Sequence, residues 1–356
     1  MSPVQGLVKR RKHQFGRQSD FGVKVAATRA YAKSGVPDVN LNWTDLEVDE
    51  GSLDPVSAPR REKPELGASL SDPQLAYNNL PLLLSAFFGG LVDSSGGGTA
   101  QTWAYTPESE TVDVEDLFTY EFGDDVLTDW YQFGDGILTE FVVTIPDGLG
   151  ACTVEETWKF GSVASTGSTD SPVDGTVPTP GLSVEKNPAL VYGKDLAVFI
   201  ADAVAGLGAN QIMDAFHGGE LRFTREVDEK LYANGDQSFD TDAYATATRA
   251  IVIRFRFAKT ADTVGLLSES DKWMSDTAVD RVGRFTFTSK EMAQTPATPY
   301  SWTSTFPFRY YAREEDAIGG NSIIVLEGHA FFDPEDLDGV FDTTVVNTLT
   351  DEALGS

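Results

Sequence analysis

The residues best suited to chemistry are three histidines, one cysteine and a large surplus of carboxylates. His13 lies in a basic run, His217 in Asp214-Ala-Phe-His-Gly-Gly219, and His329 in a strand-like stretch; none stands at metal-ligand spacing from another. A lone histidine in a strand reads as a packed or surface residue. Cys152 has no partner in the sequence, which excludes an internal disulfide framework and suits a small core residue folded in a reducing cytosol. The pairs Glu155-Glu156, Asp124-Asp125 and Glu314-Glu315 are expected by number among 55 acids, and they carry little weight for glycosidase chemistry. The acidic loop Asp333-Pro-Glu335-Asp336-Leu-Asp338-Gly339 offers oxygens to calcium. However, Pro334 occupies the first ligand position of an EF-hand frame and Val345 its twelfth, so the loop reads as solvated surface. There is no nucleophile elbow, no phosphate-binding Walker loop and no dinucleotide fingerprint after a strand. The chain therefore reads as a non-enzyme for which no cofactor or metal is expected.

The elements that would position these side chains are mostly strands. In Cys152-Thr-Val-Glu-Glu-Thr-Trp-Lys-Phe160, Cys152, Val154, Trp158 and Phe160 share one face, while Thr153, Glu155, Thr157 and Lys159 take the other. Ile251, Ile253, Phe255 and Phe257 alternate with Val252, Arg254 and Arg256, and Phe285 and Phe287 alternate with Arg284, Thr286 and Thr288. Further strands are expected at 102–106, 117–122, 136–145, 195–201, 220–226, 302–311 and 322–332. Two short helices interrupt this pattern. One spans 78–88, capped by Asn78-Asn79, with Pro81 in its first turn, an apolar face of Tyr77, Leu80, Leu84, Phe87 and Phe88, and Gly89-Gly90 as its stop. The other spans 262–274, with Leu266, Leu267, Trp273 and Met274 on one side.

Charge and composition divide the chain further. The 356 residues carry 27 Lys and Arg against 55 Asp and Glu, a net charge of −28. Residues 1–33 hold eight bases (Lys9, Arg10, Arg11, Lys12, Arg17, Lys24, Arg29 and Lys33) and one acid, Asp20, for a net of +7, which leaves −35 for the rest. An acidic body repels nucleic-acid backbones, so wrapping DNA is excluded as its role; a solubility charge or a salty medium is the plain alternative. Residues 34–65 hold Pro37, Pro55, Pro59 and Pro64 and read as loops or extended arms. Between 162 and 181, fourteen of twenty residues are Ser, Thr, Gly or Pro, the composition of a linker or long loop. The resulting plan is a basic N-terminal arm (1–33), a first β domain (34–161), a linker (162–181), a second β domain (182–333) and an acidic C-terminal tail (334–356). Both β domains show a strand–helix–strand order, so the second is a candidate duplicate of the first. No signal peptide is visible, and the apolar run Leu80 to Val92 is too short to span a bilayer, so a soluble chain without a membrane anchor is expected.

Several stretches together resemble the major tail (tail tube) proteins of long-tailed bacterial viruses. They are Trp43-Thr-Asp-Leu-Glu-Val-Asp-Glu-Gly-Ser-Leu-Asp-Pro55; Asp72-Pro-Gln-Leu-Ala-Tyr-Asn-Asn-Leu-Pro-Leu-Leu-Leu84; Trp103-Ala-Tyr-Thr-Pro107; and Phe118-Thr-Tyr-Glu-Phe-Gly-Asp124. Most telling is Tyr131-Gln-Phe-Gly-Asp-Gly-Ile-Leu-Thr-Glu-Phe-Val-Val-Thr-Ile145, followed by Thr157-Trp-Lys-Phe-Gly161. Leu196-Ala-Val-Phe-Ile-Ala-Asp202 and Lys230-Leu-Tyr-Ala-Asn-Gly235 extend the likeness, which covers roughly 43–160 well and 190–333 loosely.

The resemblance implies a β-sandwich or barrel flanked by a helix, made in the host cytoplasm and built into the virion tail. Its rings would stack into a tube, meet other tail proteins, and let viral DNA slide through a negative lumen without specific binding. This chain is about twice the length of minimal tube proteins. Either a trimer of duplicated domains or a hexamer of one decorated domain would then close the ring. Stacking requires two different, complementary surfaces. The candidate inter-ring contacts are Lys9, Arg10, Arg11 and Lys12 on one side and Asp333, Glu335, Asp336 and Asp338 on the other. The rival reading is a carbohydrate-binding or adhesin β-protein that uses Trp130, Tyr131, Tyr310 and Tyr311.

Overall fold

Alternating apolar and polar residues become antiparallel strands wherever one face can be buried. A computed structural model of the chain describes residues 11–40, 42–48, 56–61, 64–89, 99–105, 117–124, 129–165, 182–208, 211–212, 215–230, 243–260, 280–294, 298–331 and 340–349. In its first half the strands are β1 (Arg11–Arg17), β2 (Arg29–Tyr31), β3 (Ser34–Asn40), β4 (Trp43–Val48), β5 (Val56–Arg61), β6 (Glu65–Asp72), β7 (Gln101–Tyr105), β8 (Phe118–Asp124), β9 (Asp129–Ile145), β10 (Thr153–Lys159) and β11 (Ser162–Ser165). The second half supplies β12 (Leu196–Ala201), β13 (Gln211–Ile212), β14 (Phe216–Lys230), β15 (Ala243–Ala258), β16 (Arg281–Gln294), β17 (Thr298–Ile318), β18 (Asn321–Ala330) and β19 (Asp342–Asn347). Among the described residues there is one α-helix, α1 (Leu80–Phe88). The chain is mainly β with short helical elements, as its alternation implies.

The seventeen-residue β9 joins two neighbourhoods. Tyr131–Gly134 runs between β8 and β11, and β8 leads on to β1 and then β2. Ile137–Ile145 runs between β10 and β14. Beyond β10 come β6 and β3, and beyond β14 come β15, β18 and β17. The first half of β17 also pairs with β16 and β19, which lead to β12 and β7 respectively. β4 and β5 form a separate two-stranded sheet. Asp135, at the change of neighbours in β9, takes a positive φ of 56°.

The core is one continuous aromatic layer that runs through both halves of the sequence. Phe141 of β9 stacks on Phe223 of β14 at 4.2 Å, and Phe341 touches Phe88, Phe223, Phe285 and Phe306. α1 lies against this layer with all nine residues buried, so it has no wet face. Burial takes its last carbonyls away from water, and Arg225 of β14 replaces the lost partners. The guanidinium donates to Ala86 O at 2.8 Å, Phe87 O at 3.3 Å and Leu138 O at 2.7 Å. Pro81 and Gly89 (φ 71°) bound the helix as expected. Asn79 makes no capping bond, and its amide goes to Asp72 instead.

Several expected boundaries shift. Within the expected basic N-terminal arm, Arg11–Arg17 is a sheet strand between β2 and β8. Its burial on both faces hides any alternation: His13 and Phe15 face the aromatic core, while Gln14 meets a covered polar face. The proline-rich stretch contains β3, β4 and β5; Pro37 is tolerated because, among the described residues, β3 has a ladder partner on one side alone. The linker begins as β11, while residues 166–181 lie outside the described residues. The acidic tail contributes β19, inserted between β17 and β7. The two proposed β domains therefore share a sheet and a core, through β9–β14 and β19–β7. The expected helix 262–274 lies outside the described residues, and the duplication that rests on it does too.

Candidate functional site

Six of the eight expected contact residues, Lys9, Arg10, Asp333, Glu335, Asp336 and Asp338, lie outside the described residues. Arg11 and Lys12 open β1, opposite Asp124 and Gly123, and the Arg11 guanidinium sits 5.8 Å from the Phe122 ring centre. This anchors the visible end of the basic run to the sheet.

The histidines and the cysteine are apart from one another. His13 is buried, with Nδ1 2.8 Å from Tyr120 Oη. Burial first, then Lys33 and Arg11, lower its pKa to about 4, so the ring is neutral at neutral pH. His217 Nδ1 lies 3.1 Å from Asp147 at the surface, and the His329 ring stacks on Tyr311 at 3.9 Å. Burial pushes the Cys152 thiol up to about 12, which removes it as a nucleophile. Among the described residues no cluster of His, Cys, Asp and Glu could hold a metal, and no helix is long and apolar enough to cross a membrane. An apolar cleft bordered by Ile253, Phe255, Phe308 and Leu326 offers no convergent set of polar groups. Of the aromatics expected to bind sugar, Trp130 is buried and Tyr131 and Tyr310 are half-buried, leaving Tyr311 exposed.

Charge does gather in the interior. Lys33 lies just before β3, Asp72 ends β6 and Glu156 sits in β10; β6 pairs with both β3 and β10, so adjacent strands bring all three together. Their side chains are 0%, 1% and 0% exposed. Lys33 Nζ donates to Glu156 Oε1, and it lies 3.2 Å from Asp72 Oδ1, outside hydrogen-bonding angles. Trp158 Nε1 holds Glu156 Oε2 at 2.8 Å, and Asn79 Nδ2 holds Asp72 Oδ2 at 3.2 Å. The Phe15 and Tyr31 rings wall the ammonium at 5.9 and 5.6 Å. Burial raises the Glu156 carboxyl against the opposing pull of Lys33, while Asp72 and Glu156 outweigh burial and raise Lys33. The sequence carries one sign of this centre: Glu156 falls on the face of Val154 and Trp158, where an apolar residue is expected.

A second polar interior lies on the other face of β1, β8 and β9. Glu121 accepts from Gln14 Nε2 at 3.0 Å, Gln132 Nε2 at 3.3 Å and Ala27 N at 3.2 Å. The segment 18–28 folds back over this face, tied by Val25 N to Thr119 Oγ1 at 2.9 Å and Gly22 N to Asp135 Oδ1 at 2.6 Å. Any side chain at Gly16 would strike the Ala26 carbonyl of this strap.

The outer surface offers an open edge. Among the described residues the pairing partner of β3 is β6, and Val36 and Val39 on β3 are 52% and 37% exposed. An edge strand with exposed valines is a template for another chain's strand. No protein-family model and no curated protein matches the sequence.

Proposed function

We propose that the chain is a structural subunit of the tail tube of a long-tailed bacterial virus. Copies of it close into rings, and the rings stack head to tail around a lumen for DNA. The observation that carries this reading is the β3 edge, which among the described residues is unpaired on one side, with Val36 and Val39 exposed, on an extended antiparallel sheet. Such an edge suits lateral addition of a neighbouring copy. The net charge of −28 supports it, because a negative wall repels phosphates and lets DNA slide. The likeness of residues 43–160 to tube proteins points the same way. Within this reading, Lys9, Arg10, Arg11 and Lys12 of one ring steer towards Asp333, Glu335, Asp336 and Asp338 of the next. Exposed ion pairs contribute only ~0–1 kcal/mol each, so apolar burial supplies the affinity.

Electron microscopy of the purified chain should show rings or tubes. Reversing Lys9, Arg10, Arg11 and Lys12 to glutamate should slow tube growth at low salt, with circular dichroism checking that the sheet, to which Arg11 and Lys12 belong, still forms. A chain that stays a monodisperse monomer at its highest soluble concentration would defeat the proposal.

A further inference from the structure

We propose that the Lys33–Asp72–Glu156 centre is a self-cross-linking site, where the Lys33 amine forms an amide with the Asp72 side chain and Glu156 carries the proton. The proposal concerns covalent chemistry within one subunit and stands independently of the tail-tube reading.

Three features of the centre fit amide formation. First, the two groups are already in contact: Nζ lies 3.2 Å from Asp72 Oδ1, an oxygen bonded to the Cγ it would attack, and both side chains are buried, so orientation replaces diffusion. Second, the amine hydrogen-bonds to Glu156 but not to Asp72. An N–H directed at Glu156 places the base on the nitrogen, while the face towards Asp72 is left for attack. Third, the oxygen on which charge develops has a donor in place, since Asn79 Nδ2 already sits 3.2 Å from Asp72 Oδ2. Trp158 fixes the far oxygen of Glu156, so the base cannot swing away. Its pKa, raised by burial, makes Glu156 a stronger proton acceptor than an exposed glutamate.

The step balances without an outside reagent. The Lys33 ammonium passes one proton to the Glu156 carboxylate along their hydrogen bond, giving a neutral amine and a neutral acid. The nitrogen lone pair attacks Asp72 Cγ as Glu156 gives that proton to an Asp72 oxygen. Glu156 then takes a second proton from nitrogen and returns it to the resulting hydroxyl, which leaves as water. One C–N bond forms, one C–O bond breaks, nothing is oxidised or reduced, and Glu156 ends as it began. The driving force is electrostatic: a buried ammonium and carboxylate, both poorly solvated, are replaced by a neutral amide.

The test is intact-mass spectrometry of the folded full chain after denaturation, with peptide mapping. The expected result is a mass one water below that of the sequence and a peptide joining Lys33 to Asp72. Glu156→Gln, which keeps the size of the side chain, should restore the full mass while circular dichroism retains the β signal. A full-mass wild-type chain whose Lys33 amine is acylated after denaturation would overturn the proposal, whatever the variant does. A bond from Lys33 to Glu156, or a Glu156→Gln chain that still loses water, would overturn the roles assigned here.

Discussion

Two regions of the molecule hold ion pairs made from the same residue types. On the wet surface of the sheet, Arg222 meets Glu140 at 2.7 Å, Arg254 meets Glu314 at 2.7 Å and Lys259 meets Glu315 at 3.0 Å, all within reach of water. Under β3, β6 and β10, Lys33 meets Asp72 and Glu156 in a site that water does not enter. Outside, solvent and salt screen each charge, and losing a partner changes little. Inside, each charge has only its protein neighbours, so removing one strands the others. Solvent access, more than distance or residue type, decides which pair matters to the fold.

The sharpest way to break this comparison is Lys33→Met, which leaves two buried carboxylates without a cation and also removes the amine that the proposed amide requires. Chemical denaturation should show a loss of about 3–5 kcal/mol, and a loss under 1 kcal/mol would place the buried centre with the surface pairs. The next effect comes from acid. His13 is neutral in the fold with a pKa of about 4, against 6.5 unfolded, so the unfolded chain binds more protons between those values. Stability from this group is complete above pH 6.5 and falls as pH drops towards 4, by about 3 kcal/mol at most. Unfolding curves of wild type and His13→Gln should therefore diverge in pH slope between pH 6.5 and 4, and parallel slopes would show that burial does not hold the ring neutral. The smallest effect is at the surface. Arg309 forms a bidentate pair with Asp280 (Nη2 to Oδ2 at 3.1 Å) but is half in solvent, so Arg309→Ala should shift stability by no more than ~1 kcal/mol. A larger loss, insensitive to salt, would erase the distinction between the two regions.

Local pattern made much of the fold legible. The 152–160 alternation became β10, the 250–257 alternation became part of β15, and Pro81 and Gly89 bounded α1 within a residue or two of the expected limits. Those signals act over a few residues, where side-chain direction alternates or advances by a turn. β1 and β19 were not legible as strands because both faces of β1 are covered and β19 lies within an acidic stretch. The strap over Glu121 was invisible because a polar face normally meets water, and only a returning chain segment tells otherwise.

The sequence by itself determined the β class, the helix near residue 80, the acidity and the charge asymmetry of the termini. Tertiary structure alone decided that Lys33 meets Glu156, 123 positions away, and that Arg225 closes a helix end 138 positions before it. The physical reason is register. Each strand's own pattern says which face is apolar, but the strand beside it, and the residue opposite, depend on the pairing of the whole sheet. A charge's partner and its distance from water follow from that pairing, and so does any chemistry open to Lys33.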